Sequence, residues 1–410
     1  MANDLRMLFA SVDAPPRLGG VSLLADRISS HLTSSCAKEA VFLGPKGMHF
    51  DRRSTGFKTY VDFQSETKLR EGEGATVEDE RIADLFVKIA KNYSLNRIVL
   101  WHPFYYGPGA IMAGRALGIP VSVYVHGTEL TSQIPLLSES EKPFQPDAKK
   151  SDLANRLYRS LNDADNIFTN SYFTKDLVSR VAPDANIVPT GCGVDDDILQ
   201  RETRLNPEYS RLRRKLKRDR LGLPERTTFI MVGRLVPHKN HISAIEVMKH
   251  IPDAQLLVVG SGRELERLKK YSESLGVDDR VMFLGAVSEA EKWNLLAASD
   301  AGFLISNYDE GTGGYEGFGI ASLEYTAAGC LPISNAKHGM ADFAERYEAG
   351  LVCLQDDDTC ENAAQTIHDA MSDEADLALM IQNAREVVSS RFVWSKVAEI
   401  VAETLGDLEK

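Results

Sequence analysis

Short apolar runs alternate with stretches of helical periodicity almost from one end of the chain to the other. RMLFASVD, EAVFL, NRIVLW, PVSVYVHG, NIFTN and NIVPTG predict strands in the first half. TTFIMVGR, QLLVVGSG, RVMFLG, AGFLIS, CLPIS and GLVC predict strands in the second. Between them GVSLLADRISSHL, ISAIEVMKHI, ELERLKKYSESLG and EAEKWNLLAAS carry apolar residues at helical spacing. Apolar runs bounded by glycine or proline and separated by helices imply parallel sheets covered on both faces. Two such series in succession predict an α/β chain of two doubly wound, Rossmann-like domains.

The alternation lapses at GCGVDDDILQRETRLNPEYSRLRRKLKRDRLGLP, which places a boundary near residues 191–222. We expect a first domain over 1–190 and a second over 191–390. The last helix, SKVAEIVAETLGDLEK, follows Phe392 and Trp394 and stands outside the second series, as a separate element over 391–410. There is no internal repeat and no low-complexity tract.

A length of 410 residues suits two cores better than one. With 43% hydrophobic and 26% charged residues, the balance is that of a soluble globular enzyme. A net charge of −12 argues against a general nucleic-acid binder. Five cysteines (Cys36, Cys192, Cys330, Cys353, Cys360) are odd in number and form no C-x-x-C pair, which favours a reducing cytoplasm and no structural zinc. The apolar run at the start is too short for a signal peptide and ends at Asp13. IVLWHPFYYGPGAIMAG is interrupted by His102, Pro103 and Pro108, so no membrane-spanning helix is expected.

In doubly wound sheets ligands bind beyond the carboxyl ends of the strands, so the residues following each strand carry the chemistry. After the first strand, Gly19 and Gly20 open a helix whose N–H groups can approach an anion, although a tight strand-to-helix turn explains them equally well. The dinucleotide fingerprint G-x-G-x-x-G is absent there. His126, before Gly127, can donate to a sugar hydroxyl or titrate near neutrality. A satisfied loop histidine is the plainer reading of that residue taken alone.

GRLVPHKN puts Gly233, Arg234 and Lys239 between a strand and a helix start. Two cations beside a helix N-terminus oppose the macrodipole unless an anion arrives, and a pyrophosphate fits them. In LLVVGSGRELE the third glycine of a nucleotide fingerprint is missing, leaving a strand-to-helix turn near a ligand. Gly285 and Ala286 end the next strand, where open backbone can pair with a nucleobase edge. In EGFGIASLE, Gly317 and Gly319, with Phe318 and Ile320, open a helix whose N–H groups face a phosphate. Glu316 precedes that helix and faces the group beyond the phosphate; Glu324 follows in the second turn, where a carboxylate can accept from two ribose hydroxyls. Two solvated glutamates would explain neither the glycines nor the Arg/Lys pair.

The ordered set GRLVPHKN, GSGRELERL, VMFLGAVSEAE and EGFGIASLEYTAAGCLPIS resembles the retaining glycosyltransferases of family four, which have the GT-B architecture. The resemblance is strong over 227–354 and weaker before it, through LGGVSLLADRI, His126-Gly127, FTNSYFTKDLV and VPTGCGVD. It implies two domains facing each other across a cleft, with the C-terminal helix crossing back to the first. Arg234 and Lys239 would hold the diphosphate, Glu316 the donor sugar and Glu324 the ribose. Gly20 would support the phosphate and His126 would sit beside the transferred sugar. Tyr325 and Thr326, the long acidic NYDEGTGGYEGFG and the loop KHGMADFAE depart from the family pattern and bear on which sugar is used.

The reaction so implied is transfer of a hexosyl-type sugar from a nucleotide-diphosphate donor, UDP favoured and GDP possible, to a glycan, glycoconjugate or lipid-linked acceptor. It would need no metal or other cofactor and would retain configuration by front-face attack. Asp195–Asp197 and Asp356–Asp358 read as solvated caps rather than Mg²⁺ ligands. The alternatives are another GT-B sugar-nucleotide enzyme, an epimerase or phosphorylase, and a non-catalytic glycosyltransferase-like partner subunit. The basic run Arg211–Arg220 reads first as a solvated linker helix and second as a peripheral contact with anionic membrane at its inner face.

Overall fold

The computed structural model describes residues 5–12, 19–45, 57–63, 75–134, 152–202, 207–355 and 358–407. Asp13, Asp356, Asp357 and residues 408–410 lie outside the described residues. The chain divides into two compact units, one of residues 1–192 with 394–410 and one of residues 193–393.

The first unit is a seven-stranded parallel sheet in the order β3-β2-β1-β4-β5-β6-β7. Its strands are β1 (Leu5–Ala10), β2 (Ala37–Pro45), β3 (Phe57–Phe63), β4 (Arg97–Leu100), β5 (Val121–Val125), β6 (Asn166–Thr169) and β7 (Ile187–Pro189). Six of these are the expected strands, and β3 is an addition. Its sequence FKTYVDF, at the sheet edge beside β2, is broken by Lys58, Thr59 and Asp62, so it lacks the continuous apolar run that marked the others. Met7, Leu8, Phe9 and Ala10 of β1 are all fully buried, because helices cover both faces.

The second unit is a six-stranded parallel sheet in the order β10-β9-β8-β11-β12-β13. Its strands are β8 (Thr227–Val232), β9 (Ala254–Val259), β10 (Val281–Gly285), β11 (Ala301–Leu304), β12 (Leu331–Ser334) and β13 (Leu351–Val352). Successive residues of β8 belong to opposite faces: Phe229 and Met231 join Val258 and Phe303 in one core, and Ile230 joins Leu257, Leu296 and Tyr325 in the other. In both sheets the strand order reverses once, between β1 and β4 and between β8 and β11, and such switch points open a crevice at the carboxyl edge.

The terminal helix, Trp394–Asp407, belongs to the first unit. It packs on the helix Gly20–Ser35, burying Trp394, Val397, Val401 and Leu405, and the Leu405 carbonyl accepts a hydrogen bond from Arg97 Nε at 3.0 Å. The first division falls between Cys192 and Gly193, within the expected 191–222, and the rest of that segment is counted with the second unit. Within that unit Val194 N–H donates to Phe392 O at 3.0 Å, so its entering and leaving strands are pinned together.

The basic run also differs from the expected solvated helix. It lies in the helix Pro207–Leu221, packed on the helix Glu289–Ala298. Arg218 is buried and pairs with Asp300, whose other oxygen is 3.2 Å from Arg214 Nε. Lys217 Nζ donates to Asn294 Oδ1 at 2.6 Å. Asp300 also accepts from the Thr228 N–H at 2.8 Å, so a carboxylate at the start of β11 draws the basic face inward.

Candidate functional site

In the second unit the turns after β8, β9 and β10 are laced together by their backbones. Gly233 N–H donates to Val259 O at 2.9 Å, Leu235 N–H to Ser261 O at 3.0 Å and Gly260 N–H to Gly285 O at 2.8 Å. Gly260 has φ 138°, and a Cβ there would overlap the Gly233 carbonyl. The glycines of GSGRELE therefore serve close approach to the Gly233–Leu235 backbone, which carries Arg234 out into solvent. Gly285 and Ala286 follow on the neighbouring strand end, the first partly exposed and the second exposed.

Beyond Leu235 the chain makes a 3₁₀ turn, Pro237–Lys239, reverses at Asn240 with φ 56° and enters the helix His241–His250. Lys239 stands beside the helix start, as the sequence suggested, and is paired there with an anion of the chain itself. It precedes the cap, and its ammonium donates to Glu316 Oε2 with both side chains largely buried, 17% and 15% exposed. Asn307 N–H, beyond β11, donates to His238 O at 2.7 Å and ties this turn to the segment leading to Glu316. Lys239 and Glu316 thus meet across the switch point between β8 and β11. His238 lies within the influence of Lys239, Glu316, Arg234 and Asp309; burial, then the Lys239 charge, lowers its pKa to about 4, so it is neutral at pH 7.

Glu316 leads into the helix Ile320–Ala328, capped by Gly319. The Glu316 carbonyl accepts from Gly339 N–H at 3.2 Å, so the loop KHGMADFAE braces the entry from outside. Gly317 and Gly319 follow as expected; the Phe318 side chain is buried against Phe392, ring centroids 5.3 Å apart, which leaves only its backbone to face a ligand. Glu324 stands in the second turn with Oε1 2.7 Å from Lys292 Nζ, a partner that sequence spacing could not reveal. Burial pushes the Glu324 carboxyl up, and the Lys292 charge holds part of that rise back.

Two departures from the family pattern turn out to be packing. Tyr325 is fully buried; its hydroxyl accepts from Val232 N–H at 3.0 Å and donates to Phe303 O at 3.2 Å, bridging β8 and β11. Gly302 makes room for the ring, since a Cβ there would overlap it. Thr326 is buried too and donates to Ser322 O at 2.8 Å within its own helix. Both side chains are thus committed to the interior of the second unit.

In the first unit Gly19 and Gly20 begin the helix after β1, both exposed. His126 follows β5 directly and is held from three sides. Its Nε2 is 3.0 Å from the Trp101 carbonyl, its own carbonyl accepts from Asn170 Nδ2 at 3.0 Å, and its N–H donates to the buried Glu129 carboxylate at 2.5 Å. A carbonyl can only accept, so Nε2 carries the proton and Nδ1 is the lone-pair atom of the neutral ring. In that tautomer Nδ1 is an acceptor and not a donor.

Sequence reading took His102 only for an interruption. It follows β4 at the switch point, and Val12 N–H, beyond β1, donates to its Nδ1 at 3.4 Å, which places the ring proton on Nε2. The His102 and His126 rings lie 6.1 Å apart, centroid to centroid. No periodicity marks such a residue, because its neighbour Ser11 is 91 positions away, with Oγ 3.3 Å from its Nδ1. Among the described residues no group of three or more His, Cys, Asp or Glu side chains could hold a metal ion. Asp196 and Asp197 stand in the first turn of the helix Asp196–Glu202.

Comparison with known proteins bears on both units. Residues 213–387 match the family model described as glycosyl transferases group 1. Over 98% of both chains the sequence is 26% identical to a GDP-mannose-dependent alpha-(1-6)-phosphatidylinositol monomannoside mannosyltransferase of Mycobacterium tuberculosis. The fold is similar to sucrose-phosphate synthase from Thermosynechococcus elongatus, with TM-score 0.75, 18% identity and 99% of each chain covered. It is also similar to HepE of Anabaena, crystallised with UDP and glucose, with TM-score 0.72, 17% identity and 98% of this chain and 99% of that one covered. The architecture is GT-B, two Rossmann-like units with a terminal helix returned to the first. The protein is a glycosyltransferase.

Proposed function

We propose that the enzyme moves a hexosyl residue from a nucleotide-diphosphate sugar to a hydroxyl of a lipid-linked or other glycoconjugate acceptor, with retention and without a metal. The observation that carries this reading is the Lys239–Glu316 pair across the β8/β11 switch point, with Glu324 two turns on. Arg234 and Lys239 neutralise the departing diphosphate, assisted by the N–H groups of Gly317 to Ile320, where a metal would otherwise be needed. Glu316 accepts from the donor sugar, Glu324 takes the ribose hydroxyls, and the backbone at Gly285 and Ala286 meets the base.

In the chemical step the bond from C1 to the phosphate oxygen breaks and a bond from C1 to the acceptor oxygen forms on the same face. The acceptor proton passes to the leaving phosphate. The whole-length likeness to a GDP-mannose-dependent enzyme moves the preferred base from uracil to guanine and supports a lipid-linked acceptor. Peripheral contact with anionic membrane belongs to this reading only through the outer face of the basic helix, where Leu212 and Leu216 are about half exposed beside Lys215 and Arg220.

A thermal-shift panel of UDP- and GDP-sugars, followed by transfer to a phosphatidylinositol mannoside and NMR of the product anomer, tests the proposal. Stabilisation by a nucleotide sugar and an α-linked product from an α-linked donor are expected; an inverted product, or turnover abolished by EDTA, rejects the mechanism. Flotation with vesicles containing anionic phospholipid, lost in a Leu212→Glu/Leu216→Glu variant, tests the membrane face.

A further inference from the structure

Lys292 lies in the first turn of the helix Glu289–Ala298, which follows Gly285 and Ala286 after a two-residue connection. That helix start is fixed by a capping box in which Ser288 N–H donates to Glu291 Oε2 at 2.9 Å and Glu291 N–H to Ser288 Oγ at 3.3 Å. From it the Lys292 ammonium reaches two carboxylates, Glu324 Oε1 at 2.7 Å and Glu289 Oε1 at 2.9 Å. The two differ in setting. Lys292 and Glu324 are 15% and 12% exposed, whereas Glu289 is 70% exposed. The enclosed pair joins the helix behind the base-facing strand end to the helix that carries the ribose-facing carboxylate.

We propose that Lys292 is a positioning residue of the nucleotide site, holding one oxygen of Glu324 so that the carboxylate stays anionic and oriented for the two ribose hydroxyls. The inference rests on the assignment of Glu324 to the ribose. A vicinal diol donates two hydrogen bonds, and only an ionised carboxylate offers acceptors without a competing proton. An enclosed carboxyl with no cation beside it tends to take up a proton, and it rotates freely about its last bond. Lys292 prevents both while leaving lone pairs on each oxygen, since a carboxylate has about four and the ammonium takes one. A purely structural pair would behave otherwise: replacing one by apolar side chains is often neutral for stability and would leave ligand discrimination intact.

The experiment compares each of UDP and GDP with its 2′-deoxy analogue by calorimetric titration and follows whichever ribonucleotide binds the wild-type protein more tightly. The wild type should bind the 2′-deoxy form about ten- to a hundredfold more weakly, the usual value of a hydrogen bond to a charged group. In Lys292→Met that ratio should collapse to about twofold or less, Lys292→Arg should restore most of it, and Glu289→Gln should leave it unchanged. Should Lys292→Met not yield folded protein, Lys292→Gln carries the same comparison. If the wild type discriminates and both the Met and Gln variants keep its ratio, the inference is overturned while the ribose assignment stands. If the wild type does not discriminate, the ribose assignment fails first and the inference with it.

Discussion

Lys239 has two anions to serve in the proposed reaction, Glu316 of its own chain and the donor diphosphate. Replacing Glu316 with Gln removes one competitor and one sugar contact together. Transfer should fall by about a hundredfold or more, while the nucleoside diphosphate binds as tightly as before or tighter. Arg234→Ala or Lys239→Ala should weaken both, and steady-state kinetics beside calorimetry separate the two patterns. His241 makes a different prediction. It is 3% exposed, both ring nitrogens lack a hydrogen-bond partner among the described residues, and burial, then the charges of Lys239 and His238, lowers its pKa to about 4. The unfolded chain, with a histidine pKa near 6.5, binds this proton first as pH falls. The stabilisation is therefore full above about pH 6.5 and lost as pH falls toward 4. His241→Leu should stabilise the helix His241–His250 by roughly 1–3 kcal/mol at neutral pH and by more at pH 5, read by amide exchange.

At the scale of elements, two charged or polar side chains act as fasteners where sequence suggested function. Tyr325→Phe would leave the Val232 N–H in β8 without its hydroxyl acceptor, so the second unit should lose about 1–3 kcal/mol while donor preference stays unchanged. Arg218→Met leaves Asp300 with Arg214 alone; the cost should reach roughly 3–5 kcal/mol and shrink when Asp300 becomes Asn in the same chain. Denaturant unfolding of the four chains of that cycle is the measurement. Both residues were legible as residues. Their partners were not, because Tyr325 and Val232 are 93 positions apart and Arg218 and Asp300 are 82 apart.

For the whole molecule, the returned helix couples the end of the chain to its beginning. Trp394, Val397, Val401 and Leu405 are almost wholly buried in the first unit. At roughly 1.5–3 kcal/mol for each such side chain, their burial matches the entire stability of an ordinary domain. A chain stopped after Val393 should therefore lose protection in β1 and in the helix Gly20–Ser35 while β8 and β9 keep theirs, as amide exchange would show.

The order of strands and helices, the fold class and the run of motifs from Gly233 to Glu324 were set by local composition, since apolar period and glycine placement act over a few residues. Strand β3 escaped that reading because an edge strand needs only one neighbour and no continuous apolar run. Tertiary structure alone decided that Lys239 meets Glu316, that Lys292 meets Glu324, that His102 joins His126, and that the basic run turns inward to Asp300. Each of these depends on which strand ends lie side by side after the crossovers. A parallel sheet brings together residues separated by whole helices, and neither charge nor spacing along the chain records which ones.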